Sequence, residues 1–422
     1  MNIFLSAAKK LSSNNSFPAI YKNFLVPTLQ RGNVRSVILF SIICIFVGLS
    51  GCKNDPNDLG LNFITTDTLG SKILESNTDT MLISERNVRI FNNSYAGQNF
   101  LVGSSGSYQA KSLLKFIALP TDRAGENVLS AFIRFKYNFY AFRDSTGTVS
   151  FNIYKIKRSL NFPTVTLDSI TSADFDATVI GSYTGNPSDV SDINVTLDPN
   201  TVKDWLSFAA DTNSTGKNYG IYFAPNTSST TIKGFAASYA TDVNVRPLLT
   251  IIVDSLGTHD TITSNISDNI SLVDAPLSVI PSQRIFVEGD VSFLSLINFD
   301  LHKLPTNVII NEAYLELTVD PVNSFFTQGN DKTVNVDRVT DSTLIKANSD
   351  LFKTAIVAGD TTKYYVRFNQ YLQGWQNGIY PKMGLLLSAV IPGSLNRIVF
   401  YDQTEPDVTK RPKLRIRYTN KF

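Results

Sequence analysis

The chain has 422 residues, 43% of them apolar, with 38 Lys+Arg against 36 Asp+Glu. This composition is globular, long enough for about two or three domains with their own cores, and it excludes an intrinsically disordered chain. The first 51 residues hold five of the basic side chains and none of the acidic ones, so the remainder carries 33 basic against 36 acidic, net −3. A body so close to neutral excludes nonspecific nucleic-acid binding.

Arg31 and Arg35 precede an apolar run, Val37 to Leu49, which closes in Leu49-Ser50-Gly51-Cys52 and gives way at once to polar chain. A basic flank, a short apolar core and small residues at its end make a secretory signal. A transmembrane anchor is the competing reading. The uninterrupted run is shorter than the ~18–20 residues that span a bilayer, and no basic cluster follows it. The tetrad resembles the lipobox of bacterial lipoproteins, with Leu49, Ser50 and Gly51 before an acylated Cys52. That resemblance implies cleavage before Cys52, a leader over 1–51 and a lipidated tether over 52–78. Cys44 leaves with the leader, so the mature body holds no disulfide and no thiolate metal site. Lys53-Asn54-Asp55 with Asp58 is similar to the export signals of Bacteroidota surface lipoproteins; an ordinary polar tether is the alternative.

Beyond the tether the chain reads as one unit written twice, a first sandwich over 79–254 and a second over 276–422. Ser112–Phe116 matches Ser295–Phe299, Ser130–Phe135 matches Glu312–Leu317, and Ser150–Lys155 matches Thr333–Arg338. Tyr219–Phe223 then matches Met383–Leu387, and Arg246–Val253 matches Arg411–Tyr418. Each block alternates, as in Ala131, Ile133, Phe135 and Tyr137 against Arg134, Lys136 and Asn138. Period two with one wet face is the mark of an antiparallel strand. Turn residues such as Ser104-Ser105-Gly106 and Gly185-Asn186-Pro187 separate the blocks. A helix is predicted over Pro199 to Ala210, capped by Asp198, with Val202, Trp205 and Leu206 on one side. Asn369–Trp375 holds the same place in the second copy. The stretch 255–275, rich in Ser, Thr, Asn and Asp, reads as a linker. The expected fold is all-β: two tandem, duplicated antiparallel β-sandwiches, jelly-roll-like.

The order of the blocks resembles the DNRLRE-type β-sandwich of bacterial surface proteins, which binds carbohydrate in some cases. The matching elements are Ala131–Phe135 and Ala313–Leu317, the Gly220–Phe223 strand, and the Arg-Pro pairs at Arg246-Pro247 and Arg411-Pro412. More closely, the lipobox followed by Asn57-Asp58-Leu59-Gly60 and this body resembles a family of uncharacterised Bacteroidota outer-membrane lipoproteins. Neither resemblance supplies an active-site residue.

The residues themselves offer little chemistry. His259 and His302 are the only histidines, too few for a triad or a zinc site. The acidic residues fall in loops without the paired arrangement of a glycosidase, and no phosphate-binding loop is present. Asp211 to Gly216 has the start of a calcium loop but Tyr222 where a bidentate Glu belongs. The chain is therefore expected to use no catalytic residue, metal or cofactor. Trp205 and Trp375, lying between corresponding blocks, are either packing residues or a pair of sugar platforms. The outward side of the last strand is Leu248, Thr250 and Ile252 in copy one but Lys413, Arg415 and Arg417 in copy two. The basic version reads as protection of a sheet edge, and Leu248 and Ile252 are expected to be buried between the sandwiches. The function expected is that of a non-enzymatic lipoprotein held on the outer membrane by its lipid, facing the cell surface, and docking on another envelope protein. Glycan binding is the alternative, and a hydrolase a remote third.

Overall fold

The computed structural model describes residues 70–421 apart from 80, 82, 90–93, 96, 98, 118, 188–191, 214–215, 256, 291–292, 327–332, 342–345, 349–355, 358–361 and 390–392. The leader, the lipobox and Cys52 lie outside the described residues. Strands dominate, with two α-helices among the described residues. The first strands are β1 (Lys72–Glu75) and β2 (Ile83–Arg89). Then come β3 (Asn99–Ser105), β4 (Tyr108–Phe116), β5 (Asn127–Phe142), β6 (Val149–Ile156), β7 (Phe175–Gly185) and β8 (Asp192–Leu197). Helix α1 (Pro199–Ala210) leads to β9 (Ile221–Pro225), β10 (Ile232–Ala236), β11 (Leu248–Ser255) and β12 (Thr258–Asp274). The second half holds β13 (Arg284–Glu288), β14 (Phe293–Phe299), β15 (Val308–Thr318), β16 (Val334–Asp341), β17 (Lys346–Asn348), β18 (Ile356–Val357) and β19 (Lys363–Arg367). Helix α2 (Asn369–Gln376), β20 (Leu385–Ala389), β21 (Arg397–Tyr401) and β22 (Lys413–Asn420) complete it.

In the first half, β4, β12, β11, β5, β8, β7, β6 and β9 are neighbours in that order, and β9 pairs back onto β4. Eight strands thus close into a barrel rather than the open-edged pair of layers expected. Two strands of the barrel also hold a third neighbour outside it, β4 with β3 and β5 with β10. Residues 127–136 of β5 pair with β11 and β8, and its far end pairs with β10. The change of partner falls where Phe139 takes a left-handed φ of 69° and the register slips opposite Gly234, the bend that an irregularity gives a strand. Inside sit Phe100, Phe135, Phe151, Phe223 and Leu249 among others. Burying each aromatic of this kind contributes about 1.5–3 kcal/mol. The α1 side that carries Val202, Trp205 and Leu206 covers this core. Asp198 caps the helix as its sequence implies, accepting from the Thr201 amide at 3.0 Å.

The second half is layered. Sheet β1-β22-β15-β19-β18 faces sheet β17-β16-β20-β14-β13-β21 over a core of Ile297, Leu315, Phe368, Trp375, Leu387 and Ile416. Blocks that match in sequence keep matching partners. Ser112 faces Phe223 and Ser295 faces Leu387; Ala131 faces Ile251 and Ala313 faces Ile416.

Three expectations need correction. The stretch 255–275 is no linker: β12 hairpins onto β11 and then runs along β4. Its Ile262, Ser264 and Ile266 alternate inward beneath polar neighbours. Residues 72–89, assigned partly to the tether and partly to the first sandwich, belong to the second half's sheets, β1 on β22 and β2 on β14. The basic ladder of β22 guards no edge, because β1 and β15 flank it. Its charges instead meet cross-strand acids, Lys413 with Glu316 at 3.6 Å, Arg415 with Glu75 at 3.2 Å and Arg417 with Glu312 at 3.8 Å; opposite charges facing across strands are mildly stabilising.

The halves meet in a shared cluster that includes Leu101, Tyr108, Phe142, Phe286, Phe293 and Val399. Phe142 meets Phe325 edge to face at 5.2 Å. Within this seam Glu288 and Arg397 are ion-paired at 3.2 Å, and the Tyr108 hydroxyl donates to Glu288 at 2.9 Å. Gly393 takes φ 81° against Asn99, where a Cβ would stand 3.0 Å from the Asn99 carbonyl oxygen, and its own carbonyl accepts from the Asn99 side chain at 2.8 Å.

Candidate functional site

The site residues proposed from sequence do not come together. Trp205 and Trp375 are each 3% exposed. Trp205 packs against Phe116 and Trp375 against Phe299 and Phe368. Neither offers a free ring face to a sugar, which corrects the platform expectation. A tryptophan on the apolar side of an amphipathic helix is drawn into the core because its burial removes so much surface from water. Leu248 and Ile252 are half-buried, not buried. They stand on the outer side of β11, Leu248 opposite Arg134 and Asn265 and Ile252 opposite Ser130 and Thr261. His259 is exposed. His302 is exposed and pairs locally with Asp300 at 2.8 Å. Asp211 accepts from the Asn213 amide at 3.0 Å, an ordinary Asx turn. Among the described residues no group of three or more His, Cys, Asp or Glu is placed to hold a metal ion.

Trp205 apart, one surface feature has no counterpart among the residues singled out from the sequence. Three adjoining cavities of about 450, 320 and 220 Å³ run over the outside of the first half. The first and second share Asp176; the second and third share Trp205 and Lys217. They adjoin as one trough: the first lies where β6, β7 and β9 turn their outer side chains toward the 3-10 turns at Leu167–Ser169 and Ser172–Asp174, the second between β6 and α1, and the third between the end of β4 and α1.

The trough changes character along its length. One end is aromatic. Phe175 and Tyr222 stack at 3.9 Å, and Tyr154 lies 6.2 Å from Tyr222. Burial pushes the Tyr222 phenol up to about 12, so it stays a neutral hydrogen-bonding group. The middle is polar, lined by Lys155, Lys157, Lys217, Asp176 and Asp204. Lys155 pairs with Asp176 at 3.3 Å. The Thr178 amide first, and Lys155 after it, hold the Asp176 carboxyl below its ordinary value. Lys217 lies over Tyr219 at 5.0 Å and over Phe208 at 5.7 Å. The far end, lined by Phe116, Ile117, Trp205 and Phe208, is apolar again.

This arrangement suits binding. A general acid at neutral pH needs a carboxyl held above its ordinary value, and Asp176 is held below. The carboxyls that burial raises belong to the second half and to β2, which completes its sheet: Glu85 and Glu288, each to about 7, Asp290, to about 8, and Asp337, also upward. Glu288 is sealed in the seam. A concave surface with aromatic walls and a few polar groups is the usual form of a ligand site.

Comparison with models of known protein families and with curated proteins finds no match.

Proposed function

We propose that this chain is a lipid-anchored, non-enzymatic binding protein of the bacterial outer membrane, an accessory partner of other envelope components. The trough carries this reading. It is an open concave surface of three adjoining cavities on the first half, and its Asp176 carboxyl, held below its ordinary value chiefly by the Thr178 amide, is ionised rather than poised for proton transfer. The Leu49-Ser50-Gly51-Cys52 tetrad supports the anchor, with Cys52 joined by a polar tether to β1. We read the body as two diverged copies of one β unit, supported by the equal registers of the sequence-matched blocks.

The test compares wild type with a Tyr154→Ala/Tyr222→Ala variant in intact envelopes treated with a short crosslinker. A partner adduct that the variant loses, with membrane anchoring unchanged, supports the reading. An adduct of equal yield in both moves the interface away from the trough.

A second reading is carbohydrate binding, favoured by the aromatic end. Tyr154, Phe175 and Tyr222 can meet the apolar face of a sugar ring while Lys111, Lys155 and Asp176 supply donors and an acceptor for hydroxyls. A glycan array that returns no ligand for the wild type would sink it.

A further inference from the structure

Strand β2 and the distal part of β12 occupy the same position in opposite halves. β2 runs antiparallel along β14, with Asn87 opposite Ser295. β12 runs antiparallel along β4, with Ser271 opposite Ser112. Ser112 and Ser295 are themselves a sequence-matched pair. The side chains at these positions make the same bonds. Ser271 accepts from the Leu101 amide at 2.8 Å and from the Ser112 hydroxyl at 3.2 Å. Asn87 accepts from the Phe286 amide at 3.0 Å and from the Ser295 hydroxyl. The flanks agree too. β1 lies on β22 with Leu74 opposite Ile416, and the proximal part of β12 lies on β11 with Ile262 opposite Ile251.

Chain order, however, is crossed. Residues 72–89 precede the first half and complete the second; residues 258–274 precede the second half and complete the first. Segments 90–98 and 275–283, equal in length, carry the chain across. The crossing points touch each other: Arg89 is ion-paired with Asp274 at 3.0 Å and donates to the Ala275 carbonyl at 2.9 Å.

We infer that the two halves have exchanged their leading strands within one chain. The inference rests on reading the halves as copies of one unit. Both halves offer the leading strand the same ladder of backbone partners, so exchange keeps the hydrogen bonds while binding the halves together, as in domain swapping between identical subunits. The first half's barrel is then completed by β12, and the second half's two sheets are extended by β1 and β2. The segment that emerges from the tether is a structural strand pair of the C-terminal half, so a pull on the anchor loads that half first.

Engineered disulfides in the full, acylated chain test this. Ser84 stands opposite Asn298; in an unexchanged arrangement it would stand opposite the matched residue of the first half, Lys115. Directly opposed residues in an antiparallel pair lie within about 5.5 Å, inside the span of a disulfide. Under mild oxidation Ser84→Cys/Asn298→Cys is expected to close within the monomer, and Ser84→Cys/Lys115→Cys to stay open. Closure of the second pair instead of the first would overturn the inference. So would a disulfide-linked dimer from the first pair, which would place the exchange between copies. Failure of both Ser84 pairs, while Asp268→Cys/Lys115→Cys closes as its register requires, would show the leader unpaired and would also overturn it. This readout registers pairing alone, so its outcome is independent of the kinship of the halves.

Discussion

Replacing Arg397 with Met should cut the stability of the whole body, and by an amount that depends on pH. Glu288 has no exposed side-chain surface and Arg397 is 9% exposed. The guanidinium also lies 5.0 Å from the Phe286 ring and 5.7 Å from the Tyr108 ring. Removing one member of such a pair strands a charge in the interior, which costs about 3–5 kcal/mol. Burial already raises the Glu288 carboxyl from 4.5 to about 7, with Arg397 opposing the rise. A carboxyl with a raised folded value stabilises the fold fully below its unfolded value, and that contribution is lost as pH climbs through the folded value. Without Arg397 the folded value moves higher still. The variant then loses about 1.4 kcal/mol more per pH unit over the added range. The cost should therefore be small at pH 5 and near its full size at pH 8.5. Urea unfolding at both pH values measures it. Trp205 lies in the first core and Trp375 in the second, so variants keeping one of them report each half separately, and both halves should unfold together. A loss below about 1 kcal/mol at pH 8.5, or the same loss at both pH values, would refute this reasoning. Glu288→Leu/Arg397→Met should regain most of the stability, since an apolar pair of similar volume replaces a buried ion pair at little cost.

Three further outcomes are expected. Asp290 is raised from 3.8 to about 8 by burial, with the Gly393 amide opposing at 2.9 Å, so it destabilises the fold as pH rises through that window. Asp290→Asn should flatten the stability profile between pH 5 and 8.5, and an unchanged slope in urea titrations would count against it. Asp198→Ala removes the cap that accepts from the Thr201 amide and hydroxyl and should cost about 1 kcal/mol, read as a lower urea midpoint. Cys52→Ala should abolish incorporation of labelled palmitate and release the protein from the membrane fraction; label retained by the variant would disprove the anchor.

What could be read from the residues was whatever local chemistry determines. The strand at Ala131–Phe135 shows in its alternation because one side of it is core and the other wet. Helix α1 shows from Asp198 and Pro199 because cap and first-turn preferences act within one turn. The partners of a strand are set by contacts distant in sequence, so nothing in 83–89 announces that it pairs with 293–299 rather than with the first half. β12 was hidden by composition: its Thr, Ser, Asn and Asp resemble a linker, and only the spacing of Ile262, Ser264 and Ile266 marks an inner side. The burial of Trp205 is legible in its helical spacing with Val202 and Leu206, and the packing reading of both tryptophans holds once α1 and α2 cover their cores. The trough has no local signature because Tyr154, Phe175 and Tyr222 lie on three separate strands and meet only once the barrel has closed.

The most direct test of the account places a photoreactive phenylalanine analogue at Tyr154, in the aromatic end of the trough, and at Val322, 87% exposed in the second half. Both forms are irradiated in living cells with the anchor intact. A discrete adduct is expected from position 154 and none from position 322. Adducts of equal yield at both positions, or an adduct at 322 alone, would contradict the claim that this is an anchored binding body working through its trough.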